Sequence, residues 1–156
     1  MRKTFGETIA DIVAQDKRVF VLSCDTGWGI FNKLQEENPD HFINTGLTEQ
    51  ATVGLAAGMA LEGLKPWLYA ITPFLLDRVY EQLKLDVIGQ NADVKIATYW
   101  DYPNAGITHE TKDPEGLCSL LGLNYIAPKT LEGVKRVTWG VYKTNKPFFM
   151  YLTKAK

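Results

Sequence analysis

Short apolar runs alternate with longer stretches of mixed polarity along the 156 residues. Residues 18–23 (Arg-Val-Phe-Val-Leu-Ser), 67–71 (Trp-Leu-Tyr-Ala-Ile), 94–98 (Val-Lys-Ile-Ala-Thr) and 148–152 (Phe-Phe-Met-Tyr-Leu) are brief and rich in β-branched or aromatic side chains, so they read as buried strands. Residues 41–44 and 124–126 are shorter candidates of the same kind. Between them lie helical segments. Thr4-x-x-Glu7 has capping-box spacing and opens a helix to about Gln15. Further helices are predicted near residues 30–37 and 114–121, and over 48–62, 73–88 and 130–142. Gly63 stands where a C′ glycine ends a helix, and Pro73 fits the first turn of the next one.

About six strands in strict alternation with helices predict an α/β fold: three layers, α/β/α, around a mostly parallel sheet with right-handed crossovers. The length suits one domain spanning residues 1–156. Ligands of such sheets bind beyond the C-terminal strand ends. The candidate site loops are therefore residues 24–29, 45–50, 72–74 and 99–109, the last within a long stretch, 99–111, that interrupts the rhythm.

Composition narrows the function classes. With 46% hydrophobic and 22% charged residues the chain has a globular profile. A net charge of −1 gives no footprint for nucleic acid or an anionic membrane. No apolar run reaches the roughly 18 residues needed to span a bilayer. The first residues carry no signal-peptide core, so a cytoplasmic protein is expected. Cys24 and Cys118 are far apart without metal-type spacing and read as reduced core thiols. Only two histidines, His41 and His109, are present, which leaves little for a metal cluster or a His-based triad. A dinucleotide fingerprint, a phosphate-binding P-loop and a Gly-x-Ser-x-Gly elbow are all absent.

The candidate chemistry centres on Gly46-Leu47-Thr48-Glu49-Gln50, which runs into the small, apolar helix Ala51-Thr52-Val53-Gly54-Leu55-Ala56-Ala57-Gly58-Met59-Ala60. A helix N-terminus alone favours an acid. Burial changes the picture: a buried carboxylate is costly unless it is paired or protonated. The stretch from residue 42 to 86 resembles the pyrimidine-binding domain of thiamine-diphosphate enzymes. It is closest to the transketolase and 1-deoxyxylulose-5-phosphate synthase branch. The resemblance rests on Gly46-Leu47-Thr48-Glu49, Ala57-Gly58-Met59-Ala60, Gly63-Leu64-Lys65-Pro66 and Phe74-Leu75-Leu76-Asp77-Arg78-Val79-Tyr80-Glu81-Gln82, in that order, and on Gly106-Ile107-Thr108-His109 further on.

The resemblance implies the thiamine-diphosphate-binding fold and a set of roles. Glu49 would bond N1′ of the aminopyrimidine and favour the imino tautomer, whose nitrogen removes the thiazolium C2 proton. Phe74 would stack on the pyrimidine, with Leu47 and Asp25 also at the cofactor. Arg78, Tyr99 and His109 would lie toward the substrate, His109 as a contact or proton shuttle. Gly54 and Gly58 share one helix face, which in this family packs across a subunit interface.

The chain also departs from the family. It has neither the Gly-Asp-Gly motif nor the length of a diphosphate-binding domain. The implied arrangement is a split enzyme. A partner chain would carry that domain and hold the diphosphate through Mg2+ or Ca2+, with no metal on this chain, and two such pairs would form an α2β2 heterotetramer. Ala105 stands four residues before His109, where transketolases carry an acid that reads a sugar hydroxyl. The expected activity is transfer of a two-carbon ketol unit between sugar-phosphate-like substrates. The alternatives are the β-like subunit of a 2-oxoacid decarboxylase, dehydrogenase or synthase, and a non-catalytic regulatory subunit of the same fold.

Overall fold

In the computed structural model, which describes residues 1–100 and 102–153, six strands form one sheet. They are β1 (Val19–Ser23), β2 (Phe42–Asn44), β3 (Lys65–Ile71), β4 (Lys95–Tyr99), β5 (Asn124–Ile126) and β6 (Phe148–Leu152). Their order is β2-β1-β3-β4-β6-β5 and every pairing is parallel. The α/β expectation is met, and the sheet is wholly rather than mostly parallel.

All of β4 and all but the first residue of β3 are buried. Successive strand side chains point to opposite faces, so burial of every position requires cover on both. Helices α1 (Arg2–Gln15), α2 (Asn32–Glu37) and α7 (Leu131–Tyr142) form one group, in which α1 packs on the other two. In the second group, α3 (Glu49–Leu61) and α6 (Pro114–Leu121) both pack against a π-helical segment, Leu83–Ile88. Among the described residues no helix is long and apolar enough to cross a membrane.

Two helix ends differ from expectation. The capping box at Thr4 and Glu7 does not form: α1 begins two residues earlier, with Met1 at its N-cap and no side-chain cap. Tertiary contacts outweigh the local signal. Arg2 Nε donates to the Tyr69 hydroxyl at 3.1 Å, and its guanidinium lies 4.1 Å from the Tyr99 ring centre. The helix expected over residues 73–88 is broken. A single turn, α4 (Thr72–Leu75), is followed by irregular backbone and then by α5 (Tyr80–Gln82), which leads into the π-helical segment. Neighbouring elements hold the intervening backbone: the Gln50 side chain donates to the Arg78 carbonyl at 3.2 Å, and Thr111 donates to the Asp77 carboxylate. By contrast α3 ends as its glycine predicts. Gly63 adopts φ +85°, its N–H bonds the Ala60 carbonyl, and Leu64 N–H bonds that of Met59.

Candidate active site

Strand β1 lies between β2 and β3, so the chain reverses its direction of travel across the sheet there. The C-terminal ends of β1 and β3 flank the resulting crevice. The loop after β1 begins at Cys24, α4 grows directly from the end of β3, and α3 starts five residues after β2. These three connections, with the stretch after β4, carry the predicted residues.

Glu49 is the first residue of α3, and only 3% of it is exposed. Its Oε1 accepts from Arg78 Nη1 at 3.0 Å, so the buried charge is paired. The same guanidinium lies 3.8 Å from the centre of the Phe74 ring. Flat stacking of arginine on an aromatic face is a favourable geometry. The His109 ring stands edge-on to Phe74, 5.1 Å between centres at 68°. Arg78 lies in the irregular backbone between α4 and α5.

Phe74, Tyr99 and His109 line an open depression of about 360 Å³ together with Thr26, Ile71 and Tyr102. Tyr99 is buried, stacked on Tyr69 at 5.4 Å, and its burial pushes the phenol up to about 12. It therefore stays a neutral hydroxyl at ordinary pH. Burial likewise raises the thiols of Cys24 and Cys118, which makes both poor nucleophiles. Among the described residues no three His, Cys, Asp or Glu side chains gather as a metal site.

Not every candidate joins this cluster. Leu47 is 71% exposed, at the head of α3 rather than in the depression. Asp25 lines a separate hollow with Trp28, Asn32 and Asn44. Its backbone sits at φ +50°, and Asn44 holds it by accepting its N–H at 3.1 Å and donating to its carboxylate at 3.2 Å. Thr26 and Tyr102 line the depression and were not singled out from the sequence. Their only signal was their place in two of the candidate loops.

The Glu49–Phe74 pair fits an aminopyrimidine in one testable respect. Its present occupant, the Arg78 guanidinium, is a flat, nitrogen-bearing cation that stacks on the ring and donates to the carboxylate. A planar heterocycle with a protonated ring nitrogen asks for the same two contacts.

A six-stranded parallel sheet with an acid buried at the head of the third helix defines a cofactor-binding α/β domain. The whole chain, residues 1–156, matches the family described as transketolase, pyrimidine binding domain, and belongs to it. It is 34% identical over 158 residues to a 1-deoxy-D-xylulose-5-phosphate synthase of Synechococcus sp. (strain JA-3-3Ab), covering 95% of this chain and 23% of that protein. The chain thus spans under a quarter of that relative's length. Among solved structures, a split gene transketolase described as an inactive beta4 tetramer superposes with a TM-score of 0.88 at 20% identity, over 99% of this chain and 51% of that one. The transketolase from Leishmania mexicana gives 0.83 at 14% identity, over 99% and 25%. At those identities the two structures establish the shared fold.

Proposed function

We propose that these 156 residues form the pyrimidine-binding subunit of a split, transketolase-like thiamine-diphosphate enzyme that moves a two-carbon ketol unit between sugar-phosphate-like substrates. The observation that carries this reading is the buried Glu49 carboxylate beside the Phe74 ring at the C-terminal edge of the sheet.

Bound thiamine diphosphate supplies an acidic thiazolium carbon and an electron sink. This chain's residues do the rest of the work on the pyrimidine side. Glu49 would hydrogen-bond the pyrimidine through its carboxylate and hold or release a proton there. Phe74 sets the plane of the ring without reading its edge. Ile71 and Tyr99 give the depression a largely apolar wall. His109, in ring contact with Phe74, would pass a proton to or from a substrate hydroxyl. Ala105 puts a methyl group where an acid would read an acceptor hydroxyl, so the acceptor differs from that of ordinary transketolases.

The diphosphate and its Mg2+ or Ca2+ are assigned to a domain on a partner chain, in an α2β2 assembly in the cytoplasm. Three large apolar side chains support a covering partner. Trp28 (88% exposed), Leu47 (71%) and Ile107 (85%) each project from a different loop at the C-terminal edge. The split architecture of the structural neighbour with a TM-score of 0.88 supports the same arrangement.

The test is Glu49→Gln in the assembled enzyme. The amide keeps the size of the side chain and removes the carboxylate. Exchange of the thiazolium C2 proton for deuterium, followed by NMR, is expected to slow by about 10²–10⁴-fold, the range for loss of a proton-transfer group. Near-normal exchange would refute the assignment.

A further inference from the structure

Glu49 and Phe74 are committed to each other through a third residue. The Arg78 guanidinium takes the Oε1 of Glu49 at 3.0 Å and the face of Phe74 at 3.8 Å. Phe74 is itself only 9% exposed, and the His109 ring meets it at 5.1 Å between centres. The two contacts that a pyrimidine ring would need are both in use.

The arginine is anchored at its backbone, while its side chain stays partly exposed. Its N–H bonds the Pro73 carbonyl at 3.0 Å, and its own carbonyl accepts from Gln50 at 3.2 Å. Its side chain remains 40% exposed, whereas that of Glu49 is 3% exposed. Beside it lies a second depression, of about 290 Å³, lined by Pro73, Asp77, Arg78, Ile107, Thr108 and Glu110. Asp77 and Glu110 both line that hollow, and the Asp77 carboxylate already accepts from Thr111. Arg78 thus lines a hollow that holds two acidic residues, while its guanidinium sits on Glu49 and Phe74.

We propose that Arg78 is a built-in stopper: it closes the pyrimidine half-site by standing in for the ring, and it must turn toward Glu110 and Asp77 before a ring can enter. This rests on the reading of Glu49 and Phe74 given above. It adds an autoinhibitory contact, which keeps a buried carboxylate paired until the ring replaces the guanidinium. A site that is competent only part of the time binds with its affinity reduced by that fraction, so an arginine closed nine-tenths of the time weakens binding about tenfold.

The experiment titrates thiamine into the 156-residue chain and follows binding, together with the Arg78 Nε–H resonance, by NMR. Arg78→Met keeps the stem and removes the charge, and it is expected to bind thiamine about tenfold more tightly than the native chain. Glu110→Gln removes one receiving acid and is expected to bind more weakly than the native chain. In the native chain the Arg78 resonance should shift as thiamine saturates. Should Arg78→Met fail to fold with Glu49 unpaired, Arg78→Lys serves instead. Lysine still pairs with the acid but cannot stack flat on Phe74, so tighter binding than native is again expected.

Equal or weaker binding by the folded Arg78 variant overturns the stopper, as does an Arg78 resonance that does not move on saturation. Absence of thiamine binding by the folded variant overturns it too. None of these results bears on proton exchange in Glu49→Gln, which judges the cofactor assignment by itself.

Discussion

At the scale of single residues, burial and close approach decide what a side chain can do. Glu49 stood out in the sequence as one acid opening an apolar helix, and its 3% exposure agrees with that reading. Its partner was not legible. Arg78 is 29 residues away on a segment expected to be helical, and nothing in the spacing joins them. Gly6 gives a second case. It lies inside α1, and a Cβ there would lie 2.0 Å from the Ile30 carbonyl oxygen. Backbone atoms cannot yield cheaply, so Gly6→Ala is expected to destabilise the fold by about 1–3 kcal/mol. A lower urea midpoint with an unchanged slope would show it.

At the scale of elements, local signals held wherever no tertiary contact opposed them. Asp113 and Thr130 cap α6 and α7, accepting from Gly116 and Gly133 at 2.9 and 3.0 Å. The α3 terminus closes on Gly63. The capping box of α1 does not form, and the continuous helix over 73–88 is broken where Gln50 and Thr111 bond the intervening segment. The end of α1 carries another such link. Asp16 accepts from Arg18 through both carboxylate oxygens, and from the Tyr142 hydroxyl of α7 at 2.9 Å. The hydrogen bond from Arg18 is the main cause that holds its carboxyl well below the usual carboxylate range. A depressed native pKa contributes stability that is fully present above the unfolded value, about 3.9, and is lost as the pH falls through it toward the native one. Asp16→Asn is therefore expected to lower the melting temperature at pH 7, with the gap to the native chain closing below about pH 4.

At the scale of the whole molecule, the sheet order places the loops after β1, β2, β3 and β4 along one edge, and that edge carries the exposed apolar side chains of Trp28, Leu47 and Ile107. If they meet a partner rather than support the fold, their loss should separate the two properties. Ile107→Asp is expected to leave the chain's own stability within about 0.5 kcal/mol, as for other exposed positions. Assembly with a diphosphate-binding chain should weaken by about tenfold or more, some 1.4 kcal/mol, measured by calorimetry. A destabilised chain with intact assembly would assign Ile107 to the fold instead.

The sequence by itself determined the α/β class, the six strands, and the acid and aromatic ring that mark the family. These follow from hydrophobic period and from short ordered motifs, which are local properties of the chain. Only the tertiary structure decided that the helix over 73–88 breaks and that Arg78 turns onto Glu49 and Phe74. It also separated Asp25 into its own hollow. Those outcomes depend on hydrogen bonds and charges between residues far apart in sequence, whose pairing exists only once the sheet has set the loops side by side.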